Sequence, residues 1–259
     1  MKALYAALAL SATAFAAQAG TFDTFTRNGS AMTLDSGNTL RLTNDFAQAG
    51  SAWSASKVSL ASDFSVAFSF KLADGTAADG ITITLQNNAA GAAALGDTGG
   101  YLGYQGIDKS VAFIYDTFEN GFDTDRTPGE NTSVAVFGNL VDVWGGNTVG
   151  QAYALRDRVL FSWVDYSVVN QQFLMYISDT NVKPGAAQEN VSTGSWAGLL
   201  GSNDLYVGFT GGTGAAFDNQ DILSFSVSAQ AVPEPHTYGL MLAGLSALAF
   251  VARRRRLPA

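Results

Sequence analysis

The sequence predicts an all-β domain, an antiparallel β-sandwich or jelly roll, and three observations predict it. Apolar and polar residues alternate with period two in several separate segments, and clusters of Gly, Asn, Asp and Ser divide those segments. No stretch between residues 20 and 232 shows a helical period with caps. Many strands without crossover helices pair antiparallel, and two such sheets bury their apolar faces against each other.

The clearest strand places Phe64, Val66, Phe68, Phe70 and Leu72 on one face and Ser65, Ala67, Ser69 and Lys71 on the other, the pattern of a half-buried strand. The same alternation recurs at Ile81–Leu85, Val159–Trp163, Phe173–Ile177 and Leu223–Val227. Asn87–Leu95 is alanine-rich and suits at most a short turn of helix. The polar passage from Thr117 to Thr132 is expected to be a surface loop, and a loop of that length in a compact domain is often functional. Trp53, Trp144, Trp163 and Trp196 are assigned to core or sheet packing. Arg156-Asp157-Arg158 reads as a solvated charge cluster at a hairpin. With no internal repeat and no linker before about Ala229, residues 20–230 are expected to form one domain.

Both ends have a different character. Lys2, the apolar run Ala3 to Ala16 and Ala17-Gln18-Ala19 have the charge, core and cleavage site of a secretory signal, so residues 1–19 are expected to be removed on export. At the other end, Pro233-Glu234-Pro235 precedes an uncharged stretch from Thr237 to Ala252 and then Arg253 to Arg256. That stretch is marginal for spanning a bilayer, while four arginines make a strong cytoplasmic stop. The order of these three parts resembles the PEP-CTERM sorting tail of Gram-negative bacteria, here residues 231–259. The resemblance implies an envelope sorting protease acting near Pro233-Glu234-Pro235 and transient inner-membrane anchoring by the apolar segment. A plain C-terminal membrane anchor is the alternative, and either places the domain outside the inner membrane.

Composition narrows the chemistry. Setting aside Lys2 and the four terminal arginines leaves nine basic residues against 22 acidic ones, a net of −13 for residues 20–235. Such a surface repels phosphate backbones, so nucleic acid is not expected as a partner, and it suits a bound cation. There is no cysteine, and the single histidine, His236, lies in the tail. A domain without His or Cys builds no Ser-His-Asp triad, no Cys-His pair and none of the usual zinc sites. Oxygen ligands, carboxylates, amides and aromatic faces remain.

Those groups concentrate where Ser110–Asp116 runs into the sequence Thr117-Phe118-Glu119-Asn120-Gly121-Phe122-Asp123. Asp116, the Phe118 carbonyl, Asn120 and Asp123 are candidate ligands for one hard cation, because calcium takes carboxylate, amide and carbonyl oxygens from a short segment. An EF-hand is excluded, since the flanks are strands and the twelfth position counted from Asp116 is Thr127 rather than Glu. A solvated acidic loop is the alternative.

Val111–Asp123 resembles the metal-binding segment of the legume-type (L-type) lectins, and Ala78-Asp79-Gly80-Ile81 their sugar-site aspartate segment. Gly99-Gly100-Tyr101-Leu102-Gly103 resembles their glycine-rich loop. Tyr206–Thr210, Thr213-Gly214 and Asp221–Phe225 resemble their specificity loop and the strand after it. The segments occur in the family's order, which implies a concanavalin-like sandwich. The resemblance assigns one calcium ion to Asp116, the Phe118 carbonyl, Asn120 and Asp123. It assigns sugar contacts to Asp79, a backbone N–H of Gly99 or Gly100, the Asn120 side chain, the Phe118 ring and the loop around Ala215 and Ala216. A carboxylate accepts from two vicinal hydroxyls, an amide donates, and an aromatic face covers the C–H side of the ring.

The chain also departs from the family. Ile114 stands where plant members have a glutamate for a second, transition-metal site, and Asn131-Thr132 stands near the expected histidine, so that second site is expected to be absent, Asp125 being a partial substitute at most. Gln220 stands where a histidine is common. The peptide before the sugar-site aspartate is usually cis in this family, here Ala78-Asp79. The resemblance leaves open a homodimer through the back sheet. The expected function is an exported, calcium-dependent carbohydrate-binding domain at the cell surface or in the extracellular matrix, with exopolysaccharide among its partners. Two other classes stand beside it. One is a structural matrix protein that keeps the fold without sugar binding. The other is a glycoside hydrolase, for which no strand carries the glutamate-x-aspartate-x-x-glutamate pattern of laminarinase-like enzymes.

Overall fold

The structure, a computed structural model, describes residues 22–120, 130–140, 145–146 and 153–229. The signal segment, the sorting tail, Asp123, Asp125 and Trp144 lie outside the described residues. The strands are β1 (Thr26–Gly29), β2 (Met32–Leu34), β3 (Thr39–Arg41), β4 (Ala49–Trp53), β5 (Val58–Ser59), β6 (Phe64–Ala73), β7 (Gly80–Gln86), β8 (Ser110–Asp116), β9 (Asn131–Val136), β10 (Gly145–Gly146), β11 (Val159–Ser167), β12 (Gln172–Ser178), β13 (Glu189–Ser192), β14 (Asp204–Gly212) and β15 (Asn219–Ala229). One sheet runs β1-β4-β14-β7-β8-β9-β10, with β5 paired to β14, and the other runs β13-β12-β11-β6-β15-β3-β2. The strand pairs within both sheets are antiparallel. This is the all-β sandwich that the period-two segments predict.

The two sheets meet through the apolar face of every alternating segment. Phe68, Phe70 and Leu72 of β6 face Ile83, Tyr115 and Phe209 of the opposite sheet in one buried cluster. The rings interlock, Phe68 on Phe209 at 5.1 Å and Phe70 on Tyr115 at 4.9 Å between centroids. Polar pairs cross the same interior: the Tyr115 and Ser162 hydroxyls are 2.5 Å apart, and Thr132 Oγ1 donates to Glu189 at 2.6 Å.

The first sheet is buried on its outer face as well, so β7 is not the half-buried strand expected of Ile81–Leu85; every residue of β7, β8 and β9 is buried. The segment between β7 and β8 folds back over the sheet and seats Ala94, Leu102, Tyr104 and Ile107 on Trp53, Ala112, Ile114 and Ala135. Polar side chains of the sheet fasten this cover. Thr82 Oγ1 bridges Thr84 and Thr210 at 2.7 and 2.8 Å, and Thr210 Oγ1 donates to the Leu102 carbonyl at 2.8 Å. Ser51 Oγ and Trp53 Nε1 both donate to the Ala94 carbonyl.

Several local expectations are corrected. A register shift between Ile222 and Ser224 makes Leu223 an extra residue, so Ile222 pairs with Phe70 and Phe225 with Phe68, and the simple alternation at Leu223–Val227 does not hold. Within the stretch expected to lack helix, α1 (Trp196–Leu200) forms one turn, opened by Ser195 Oγ accepting from Gly198 N–H and closed by Gly201 at φ 74°. A turn this short carries no readable period, although both caps are legible. The alanine-rich stretch is a 3-10 turn at Gly91–Ala93, as expected. Thr132 belongs to β9 rather than to the preceding loop. Arg156 is not simply solvated: its guanidinium donates two bonds, of 2.7 and 2.9 Å, to the buried carboxylate of Asp218. Trp53 and Trp196 are fully buried.

Two measurements check this packing. Thr210→Val leaves the Leu102 carbonyl without its hydroxyl donor and is expected to cost about 1–3 kcal/mol, with faster amide exchange at residues 99–104; unchanged exchange there removes the fastening role. Burial pushes the Tyr104 and Tyr115 phenols above the ordinary tyrosine value. Unfolded tyrosines ionise near pH ~10 while these stay protonated in the folded protein, so the stability they contribute is intact below that pH and is lost as pH rises beyond it. The midpoint of thermal unfolding is therefore expected to fall above about pH 10, and Tyr115→Phe, which leaves Ser162 bonded to the Tyr176 carbonyl, is expected to flatten the fall.

Candidate functional site

Parts of the four segments picked out in the sequence, around Asp79, Gly99-Gly100, Asp116–Asn120 and Thr213-Gly214, lie at one end of the first sheet. Strand pairing begins the assembly, because Gly80 at the start of β7 is in register with Asp116 at the end of β8. A Cβ at Gly80 would lie 2.3 Å from the Tyr115 carbonyl oxygen, so the strands approach this closely only with glycine there. Asp79 sits just outside this pair. Its N–H donates to the Gly212 carbonyl at 3.1 Å and its carbonyl accepts from Thr117 N–H at 2.9 Å, which ties it to both neighbouring strand ends. The Ala78-Asp79 peptide is cis, as the family resemblance implies.

Gly99, Gly100 and Gly214 close around the carboxylate. A Cβ on Gly214 would stand in ordinary contact, 3.5 Å from Asp79 Oδ2 and 3.4 Å from the Gly99 α-carbon, so the three residues are neighbours. Gly99 N–H donates to the Thr213 carbonyl at 2.9 Å, which makes Gly100, of the two glycines, the one suited to give its N–H to a ligand. A Cβ on Gly100 would fall 2.3 Å from Asn120 Nδ2, so the amide of Asn120 fills the space this glycine leaves. Gly214 N–H donates to the Ala216 carbonyl at 3.1 Å, a tight turn that puts Ala215 at its exposed tip.

Asp116, Phe118 and Asn120 form the other wall. The Asp116 carboxylate is fully buried and accepts from Phe118 N–H at 3.0 Å. Asn120 Nδ2 donates to the Phe118 carbonyl at 3.2 Å. The chain thus folds back on itself within five residues, with the Phe118 ring 41% exposed. Among the described residues no group of three or more His, Cys, Asp or Glu side chains is positioned to hold a metal. One carboxylate, one carbonyl and one amide brought together are a donor set of another kind, all oxygen, and they fit calcium rather than a softer ion. Asp79 and Asp116 are 4% and 0% exposed, two buried carboxylates at adjoining strand ends, and all-oxygen surroundings of this kind suit a hard cation. The fourth expected ligand, Asp123, lies outside the described residues.

The positions that depart from the family take other roles. Ile114 is packed with Ala112, Ala135 and Leu102 in the outer apolar cluster and offers no donor to a metal. Gln220 Nε2 donates to the Gly212 carbonyl at 2.8 Å, so an amide fastens β15 to the end of β14 where a histidine is common. Sequence reasoning did not assign the Thr213 hydroxyl, which donates to the Asp45 carbonyl at 2.6 Å and joins the site to the loop between β3 and β4. Nothing in the spacing signals that contact, because 168 positions separate the two residues.

Comparison with known proteins bears on the family and the fold. The family model of the legume lectin domain matches residues 9–239, and that of the PEP-CTERM protein-sorting motif matches residues 231–256. Among solved structures, the chain is similar to a lectin from Bauhinia forficata in complex with GalNAc, at 22% identity over 80% of this chain and 93% of that one, with a TM-score of 0.66. It is similar to lectin II from Ulex europaeus at 19% identity over 80% and 93%, with a TM-score of 0.62. It is also similar to the exoplasmic/lumenal domain of VIP36 in a Ca2+/Man3GlcNAc-bound form, at 23% identity over 81% and 85%, with a TM-score of 0.59. These structural likenesses show a shared fold, and the family match spans most of the sequence. The chain belongs to the legume lectin domain family and ends in a PEP-CTERM sorting motif.

Proposed function

We propose that this protein is an exported, calcium-dependent carbohydrate-binding domain with no catalytic step of its own. The observation that carries the reading is the linked arrangement at one end of the sheet in which Gly214 adjoins Asp79 and Gly99, Gly100 adjoins Asn120, and Asn120 bonds the Phe118 carbonyl. Asp79 accepts from two vicinal sugar hydroxyls, the Gly100 N–H and the Asn120 amide donate, and the Phe118 ring covers the apolar C–H side of the pyranose. The turn at Ala215 and Ala216 borders the ligand and offers no bulk, so it sets which hydroxyls fit. Asp116, the Phe118 carbonyl, Asn120 and Asp123 hold calcium, which when bound supplies a fixed positive charge beside the buried carboxylates and keeps Asn120 and Phe118 in place.

The two ends of the chain support the location. The sorting motif indicates export and sorting to the cell envelope. In this reading residues 1–19 are the leader, residues 20–230 the binding domain, and residues 231–259 the segment that anchors transiently until an envelope protease acts near Pro233-Glu234-Pro235. The acidic surface repels anionic polymers, and neutral exopolysaccharide at the cell surface is the ligand class in this reading. Among the described residues no helix is long and apolar enough to cross a membrane, and the tail lies outside them.

Glycan binding is expected to vanish in a calcium chelator, to return with calcium, and to be abolished by Asp79→Ala. Undiminished binding in the chelator refutes the calcium role. Calcium at a hundredfold excess over its dissociation constant is expected to stabilise the fold by about 2.7 kcal/mol, and Asp116→Asn to remove most of that gain in a thermal melt. Calcium stabilisation without any bound glycan on a broad array identifies a structural protein instead.

A further inference from the structure

The loop between β3 and β4 lies directly against the residues that close the Asp79 site. Thr213 N–H donates to the Gln48 carbonyl at 2.9 Å, Thr213 Oγ1 accepts from Gln48 N–H at 2.9 Å, and Ala47 N–H donates to the Gly214 carbonyl at 3.0 Å. Within the loop, Gln48 Oε1 accepts from Asn44 N–H and Asp45 N–H at 2.8 and 3.1 Å, and Asp45 Oδ1 accepts from Phe46 N–H at 2.8 Å. Each backbone N–H from Asn44 to Gln48 is therefore engaged, and Ala47 is held at φ 52°. The large apolar side chain on this fixed loop, Phe46, is nevertheless 51% exposed.

Among the described residues Phe46 has one aromatic neighbour. Its ring meets that of Phe217 edge to face, with centroids 4.6 Å apart and planes at 68°. Phe217 is fixed from the opposite side, because its N–H donates to Thr76 Oγ1 at 3.1 Å and its carbonyl accepts from Thr76 N–H at 2.6 Å. The segments that carry this pair are continuous with the site: Phe217 follows Gly214 by three positions, and Thr76 precedes Asp79 by three. Neither ring belongs to the two buried apolar clusters, so the pair is not there to fill the core.

We infer that Phe46 and Phe217 form a second subsite beside Asp79, an aromatic platform that stacks on the C–H face of a neighbouring pyranose. The ligand is then a chain of at least two linked neutral sugars rather than a single one. This subsite rests on the reading of the Asp79 site as a sugar site. A phenyl face is apolar and electron-rich, which suits the C–H face of a pyranose, while the Asp45 carboxylate at the edge of the platform accepts from hydroxyls and repels anionic sugars. Because the loop is held by hydrogen bonds before any ligand arrives, stacking there costs little ordering. Two rings are far smaller than a stable protein interface, which favours a sugar over a protein partner.

The test compares the wild type with Phe46→Ala, Phe217→Ala, Phe46→Tyr and Asp79→Ala, in calcium, on neutral monosaccharides and on di- and trisaccharides ending in the same sugars. The wild type is expected to bind the longer members more tightly than the monosaccharide by roughly 3- to 10-fold. Phe46→Ala and Phe217→Ala are expected to remove that gain while leaving the monosaccharide titration and its calcium requirement unchanged, Phe46→Tyr to retain it, and Asp79→Ala to lose binding altogether. Phe46 is half exposed and outside the core, so its truncation should not shift the melting temperature. A chain-length gain that persists in both alanine variants overturns the subsite and leaves the Asp79 site standing. Absence of any calcium-dependent binding by the wild type refutes the Asp79 site itself, and the subsite with it.

Discussion

The pairing of β7 with β8 is the contact on which the rest of the site depends. Its register sets Gly80 opposite Asp116, and that single pair brings together two buried carboxylates that lie 37 residues apart in the chain. A slip of one residue would turn Ile81, Ile83 and Leu85 out of the core and Thr82 into it, so burial of the apolar face fixes the register far more strongly than any contact within the site. The geometry of the binding end is thus inherited from the hydrophobic core. Gly80 then permits the close approach that a side chain would block.

A second layer of packing turns this strand end into a pocket wall. The segment between β7 and β8 is not left as a solvated loop; it covers the outer face of the sheet and is fastened by Thr82, Thr210, Ser51 and Trp53. Buried hydroxyls and an indole N–H in such a layer must find acceptors, and they find the carbonyls of Leu102 and Ala94. The fastening holds Gly99 and Gly100 against Gly214 and Asn120. Preorganisation at the binding end therefore comes from satisfied polar groups beneath it, and the glycines supply the closeness.

The strands at Phe64–Leu72, Phe173–Ile177 and Ile81–Leu85 were legible because one face of each enters the core and the period-two pattern records that directly. Leu223 was misread because a bulge changes the phase of a strand without changing its composition. The complete burial of β7 was also hidden: threonines at Thr82 and Thr84 look solvent-facing in a sequence, and only the folded-back cover shows that they are buried and bonded. Arg156 was assigned to solvent for a similar reason, since its partner Asp218 is 62 positions away.

Asp79, Asp116, Phe118 and Asn120 were proposed from the sequence, Asp116, Phe118 and Asn120 because calcium takes oxygen donors from a short segment and Asp79 through the family resemblance, and local order is what a sequence preserves. The fold class, the lack of cysteine and of any histidine but His236, and the sorting motif were legible in the sequence as well. The tertiary structure decided that Gly99 spends its N–H on Thr213, that Gln220 fastens β15 to β14, and that the rings of Phe46 and Phe217 meet as a pair. Each of these is a meeting of segments distant in the chain, and such meetings follow from which sheet faces become buried together rather than from any spacing between residues.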